Sequence, residues 1–183
     1  MSKKNITLVV NLLGGPGCGK STMAAGIFAG LKWKGIDCEL AAEYAKDLVW
    51  EKRFKTFENQ VYMFGKQHHR IYRLVGQVDV IVTDSPILLT AIYDSEKRES
   101  LRNLMFEEYN KVNNFNILLR RRKVYNPKGR NQTESESKEI DEQIRNLLEE
   151  NKLPHITVDG CQDAVNDIVR TVEITLRMLH ESK

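Results

Sequence analysis

The chain has 183 residues, enough for one α/β domain with a sizeable buried core and too few for two comfortable ones. With 41% apolar and 29% charged residues it reads as a soluble globular protein, and 28 basic against 25 acidic side chains, a net +3, is too weak a balance to argue for a nucleic-acid partner by itself. No run of about 18 apolar residues occurs, which argues against a membrane span, as Met1-Ser2-Lys3-Lys4 does against a signal peptide; three dispersed cysteines, Cys18, Cys38 and Cys161, lack Cys-x-x-Cys spacing and fit a reducing cytoplasm better than a disulfide framework or a zinc cluster.

Strand-length apolar runs alternate with helical patterns. In chain order, Ile6 to Leu13 predicts a first strand and Lys20 to Lys34 a helix closed by Gly35. Asp37 to Ala42 predicts a second strand. From Phe54 onward, Phe57, Val61, Phe64, His68, Ile71 and Val75 recur at steps of three and four, the period of a helix face. Val78 to Thr83 is a third strand, Glu96 to Val112 a further helix, and Phe115 to Leu119 a fourth strand. The following Arg120 to Gln132 is the most cationic stretch of the chain, and Pro127 and Gly129 mark it as a loop. Thr133 and Glu136 have capping-box spacing, with Ile140, Ile144, Leu147 and Leu148 on one helical face behind them. His155 to Val158 and Gln162 to His180 complete the pattern as strand and helix. Such alternation predicts one α/β domain over residues 1–183, a three-layer α/β/α sandwich on a five-stranded parallel sheet with right-handed connections and a lid segment at about 120–135.

The strongest chemical signal is Gly14-Gly15-Pro16-Gly17-Cys18-Gly19-Lys20-Ser21, which fits G-x-x-x-x-G-K-[ST] between a predicted strand and a predicted helix. Glycines let the backbone curl until successive amides point at one spot, and the helix start adds its positive dipole end. The expected nucleotide-binding residues are Gly14, Gly15, Gly17, Cys18, Gly19, Lys20, Ser21 and Thr22. Lys20 is expected at the β- and γ-phosphates and Ser21 on Mg²⁺; Cys18 carries no expected catalytic role. A plain glycine-rich turn is the bland alternative, and the agreement of pattern with context weighs against it.

Asp84 ends an apolar strand on the edge where parallel sheets bind ligands, so it is expected to hold Mg²⁺ or polarise an acceptor hydroxyl; the alternative is that Asp84 or Ser85 only caps a helix opened by Pro86. Glu43, after the second strand, reaches the same edge as a candidate general base, or serves only as a first-turn glutamate on its helix. Arg120, Arg122 and Arg130 are candidates for stabilising charge on a transferring phosphoryl group, within a stretch that also contains ordinary surface cations. Lys55, Asn59, Tyr62, Lys66, His69 and Arg73 share one helical face, the solvated back of a core helix or, less favoured, a track for a polynucleotide acceptor. His68 lies in the apolar stripe and is expected in the core rather than on a metal.

Taken together, the phosphate loop Gly14 to Thr22, Glu43-Tyr44, Asp84-Ser85-Pro86 and the arginine-bearing segment resemble a P-loop kinase. The likeness is to the ribosylnicotinamide kinase-like group and its small phage-borne relatives labelled as AAA-domain ATPases. It spans most of the chain, with the phosphate loop as its one specific motif. The resemblance implies a P-loop NTPase fold, ATP and Mg²⁺ as cofactors, and γ-phosphate transfer to a hydroxyl of a nucleoside, nucleotide or similar acceptor, with Glu43 at the position of the base. Some phage relatives phosphorylate hydroxymethylated pyrimidines within DNA, which keeps DNA as a possible but not favoured partner. Asp84 is followed by Ser85 rather than the second acid of an AAA+ motor, and no Asn-Lys-x-Asp guanine motif is present. A nucleotide-gated binding protein, or an ATPase with slow hydrolysis, is the alternative class.

Overall fold

A computed structural model of the chain describes residues 6–122 and 133–181. Five parallel strands, β1 (Leu8–Leu13), β2 (Cys38–Ala41), β3 (Val80–Thr83), β4 (Asn113–Arg120) and β5 (His155–Asp159), form one sheet in the order β2-β3-β1-β4-β5. The helices are α1 (Lys20–Trp33), α2 (Tyr44–Trp50), α3 (Gln60–Tyr72), α4 (Thr90–Tyr93), α5 (Glu99–Tyr109), α6 (Glu134–Glu150) and α7 (Gln162–Glu181), with 3₁₀ turns at Phe54–Glu58 and Ile87–Leu89. None of the helices described is long and apolar enough to cross a membrane.

The period-two alternation of the strands divides the core into two layers. Leu8, Val10 and Leu12 of β1 face α1 and α7 together with Val80, Val82, Ile117 and Leu119. Val9 and Leu13, with Ile81 and Leu118, face the layer built by α3, α5 and α6. This is the three-layer α/β architecture expected from the sequence. Ile27 and Leu31 of α1 are fully buried, and truncating either to alanine costs about 2–5 kcal/mol. One polar row interrupts the second layer: Asn11 donates to Asn114 Oδ1 at 2.9 Å and to Asn116 Oδ1 at 3.1 Å, and Asn116 donates to the Tyr109 hydroxyl at 2.7 Å. These side chains are tolerated in the interior because they are hydrogen-bonded.

The helix expected from Phe54 is divided. Its first residues form a 3₁₀ turn, and α3 starts at Gln60 because the Asn59 side chain accepts from the Tyr62 amide. Val61, expected on the inner face, is therefore 53% exposed, and Gln67 is buried in the stripe beside Phe64 and Ile71. His68 is partly buried, stacked between Phe64 and Tyr72 and bonded through Nε2 to Glu108 at 3.1 Å. The expected helix from Glu96 is shorter, since Asp94 accepts from the Arg98 amide and fixes the start of α5 at Glu99. The capping box at Thr133 and Glu136 is present as expected. Arg130 and the segment 123–132 lie outside the described residues.

Candidate active site

All five strands run in one direction, so the loops after β1, β2 and β3 open on one edge of the sheet. The loop after β1 curls into the phosphate loop. Gly19, the residue before α1, has φ 105°, a left-handed conformation that glycine adopts without strain. Lys20 folds back and donates from Nζ to the carbonyls of Gly14 at 2.7 Å and Gly15 at 3.1 Å. Gly17, Gly19, Lys20, Ser21 and Thr22 line a cavity of about 500 Å³. Gly14, Gly15 and Cys18, also expected to bind the nucleotide, are buried and do not line it.

The opposite wall of the cavity comes from the loops after β2 and β3. Glu43 lines it at the residue before α2, where its side chain makes no capping bond to the helix. Its amide donates to Asp84 Oδ1 at 3.0 Å. Asp84 is buried, and neither it nor Ser85 caps the helical turns after Pro86. Among the described residues no cluster of three or more His, Cys, Asp or Glu side chains forms a closed metal site. Mg²⁺ does not need one: it keeps several waters and takes hard oxygen ligands from one or two protein groups and from phosphates. The Ser21 hydroxyl and the carboxylates at the ends of β2 and β3 are donors of that kind.

Beyond Glu43 the cavity becomes aromatic and amphipathic, with Tyr44, Trp50, Phe57, Met63, Gln67 and Tyr93 on its walls. Tyr44 is held in three ways: its hydroxyl bonds that of Tyr62 at 2.9 Å, its amide donates to Gln67 Oε1 at 2.9 Å, and the Arg70 guanidinium lies 5.2 Å from its ring centre. Because the Tyr44 N–H requires an acceptor, the Gln67 oxygen faces it and the Nε2 amide is left buried without a hydrogen-bond partner. Burial, reinforced by the charge of Glu43, pushes the Tyr93 phenol far above its ordinary value. Gln67 and Tyr93 were not candidates from sequence; a polar residue within the apolar stripe of α3 was the available signal for Gln67.

The arginines at the end of β4 and just after it take different partners. Arg120 and Arg122 reach Asp159 at 2.8 and 2.5 Å on the exposed end of β5, away from the cavity lining. Arg121, between them, points the other way and donates to the Pro16 carbonyl of the phosphate loop at 2.9 Å. On the opposite face of α3, the expected stripe is shorter than its spacing implied: Lys55 lies in the 3₁₀ turn and pairs with Glu58, and Asn59 is spent as a cap.

A protein-family profile described as AAA domain matches residues 9–163. The chain belongs to this AAA-domain family. No curated protein sequence matches it. Among solved structures, the AAA-domain chain is similar to a NadR protein in complex with NR, with a TM-score of 0.58 and 17% identity over 83% of this chain and 43% of that one. It thus spans less than half the length of that relative. A second similar structure is deoxyadenosine kinase from M. mycoides with products dcmp and a flexible dcdp bound, at a TM-score of 0.54 and 18% identity over 94% and 99% of the two chains. The AAA-domain chain accordingly shares its α/β fold with both of these structures.

Proposed function

We propose that this protein is an ATP-dependent kinase that transfers a γ-phosphate to a hydroxyl of a nucleoside- or nucleotide-like acceptor. The observation that carries the reading is a single cavity with the phosphate loop on one side and, across from it, a carboxylate followed by an aromatic chamber. A hydrolase needs room for one water; an amphipathic chamber lined by Tyr44, Trp50 and Phe57 suits a planar acceptor.

When bound, MgATP supplies the transferable phosphoryl group, with the cation screening its oxygens. Gly17, Gly19 and Lys20 are assigned to the phosphate tail, and Ser21 and Asp84 to the cation. Glu43 accepts the proton of the acceptor hydroxyl as that oxygen attacks, which leaves the hydroxyl a better nucleophile. The aromatic walls orient the acceptor and exclude water from the transfer. Gln67 Nε2, a buried donor lacking a partner, is assigned to a hydrogen-bond acceptor on the incoming molecule. Arg120, Arg122 and Arg130 retain a proposed charge-stabilising role in the transfer, the first two after exchanging Asp159 for phosphate oxygens. A reducing cytoplasm is the proposed setting, consistent with the free thiols of Cys18, Cys38 and Cys161.

A second reading, transfer to a modified base in DNA, is favoured by the exposure of Trp50, 72% accessible at the cavity, and by Lys66 over the Tyr62 ring nearby on α3. A radiolabelled γ-phosphate transfer screen over nucleosides, nucleotides, nicotinamide riboside and hydroxymethylated DNA separates the two. Label on a small acceptor supports the first reading, and label on DNA alone supports the second. Release of free phosphate without transfer in every reaction would leave an ATPase and overturn both. Lys20→Ala, which removes the cation assigned to the phosphates, is expected to abolish transfer and weaken MgATP binding in calorimetry.

A further inference from the structure

The first half of the phosphate loop is held from outside the motif. Asp141, on α6, accepts from the Gly15 amide through Oδ1 at 2.5 Å and from Arg121 Nε through Oδ2 at 2.9 Å. Arg121 also donates to the Pro16 carbonyl at 2.9 Å and to the Ser137 carbonyl at 3.4 Å. Both side chains are largely buried, 12% exposed for Arg121 and 17% for Asp141. With Lys20 on the carbonyls of Gly14 and Gly15, three consecutive loop carbonyls are each bound to a cation. Contact with α6 is close as well, since a Cβ on Gly15 would lie 2.4 Å from the Ser137 carbonyl.

We propose that Asp141 and Arg121 are positioning residues that brace the phosphate loop in its binding-ready shape, an inference that rests on the kinase reading above. A peptide whose carbonyl is turned outward presents the amide that follows it to the concave side. The Gly15 amide is itself taken by Asp141 and Pro16 has no N–H, so it is the Arg121 bond to the Pro16 carbonyl that sets the direction of the following Gly17 amide before any phosphate arrives. A flexible glycine-rich loop without such fixation loses conformational entropy on binding, and preorganisation removes that cost. Anchorage of α6 is a separate matter, because Ile144, Leu147 and Leu148 already bury it in the core.

The test measures binding of a non-hydrolysable ATP analogue with Mg²⁺ to the full chain by calorimetry, beside thermal melting. Asp141→Ala and Arg121→Ala are each expected to raise Kd about tenfold or more, as loss of a charge-assisted hydrogen bond does. The double variant is expected to be no weaker than the weaker single one, because the two groups act as one brace. Asp141→Asn, which keeps an oxygen for the Gly15 amide, recovers part of the affinity; a role confined to overall stability would lower the melting temperature without this pattern. If an alanine variant does not fold, Arg121→Lys, which cannot serve three acceptors in one plane, takes its place with the same expected rise in Kd. Unchanged Kd in folded variants, additive losses, or tighter binding by Asp141→Ala because a freed Arg121 meets the phosphates directly, would each overturn the brace. Absence of analogue binding by the unmodified chain would instead remove the kinase reading, and the brace with it.

Discussion

The backbone N–H of Glu43 donates to the Asp84 carboxylate at 3.0 Å, joining the carboxyl ends of β2 and β3 at the cavity. Thr83 Oγ1, donating to the Ala41 carbonyl at 2.8 Å, makes a second tie between the same strand ends. Asp84 thus has a structural use for one oxygen and a proposed metal-binding use for its carboxylate charge.

These two uses separate by substitution. Asp84→Asn retains an oxygen for the Glu43 amide and is expected to keep its stability in urea unfolding while requiring much more Mg²⁺ for half-maximal transfer. Asp84→Ala is expected to lose about 1–3 kcal/mol of stability in addition, because a buried amide is left without its acceptor. An Asn variant with an unchanged Mg²⁺ requirement would remove Asp84 from the metal site.

Gln67 is expected to act on the acceptor and not on ATP. Gln67→Glu keeps an oxygen for the Tyr44 amide but loses the buried Nε2 donor. The KM for the acceptor is expected to rise by about 10- to 100-fold, the range for one lost buried hydrogen bond, with the Kd for MgATP unchanged. Steady-state kinetics at saturating ATP read the first value and calorimetry the second.

Acid stability has a sign fixed by Asp94. Arg98, through side-chain and backbone hydrogen bonds, holds the Asp94 carboxyl below its usual range. The stability it contributes is present above the unfolded value of about 3.9 and is lost as pH falls through the lower folded value. Asp94→Asn is expected to melt below the unmodified chain at neutral pH, with the gap closing below about pH 4. A gap independent of pH would show that charge is not its source.

The sheet, α1, α7 and the phosphate loop were legible in the sequence because each rests on a local pattern: apolar runs, a helical period, a glycine-rich turn. Short α2 and α4, of seven and four residues, offer too few turns for a period to appear. Within the arginine run, composition marked the stretch but could not tell its members apart. Arg120, the last residue of β4, and Arg122 reach Asp159, while Arg121 reaches Pro16, pairings set by tertiary contacts that no local pattern shows. Asp141 had no local signal at all, since it meets Gly15 from 126 positions along the chain. Glu43 follows β2 as the sequence placed it, at the residue before α2 and in the cavity wall.

The central claim is that one cavity binds ATP on its phosphate loop and activates an acceptor hydroxyl with Glu43. The most direct measurement compares Glu43→Gln with the unmodified chain on the acceptor identified by the transfer screen, taking kcat for transfer and the Kd for MgATP in parallel. The account predicts that kcat falls about 10²- to 10⁴-fold, the usual contribution of a general base, while the Kd is unchanged. Full transferase activity in Glu43→Gln would contradict it and would pass the role of base to Asp84.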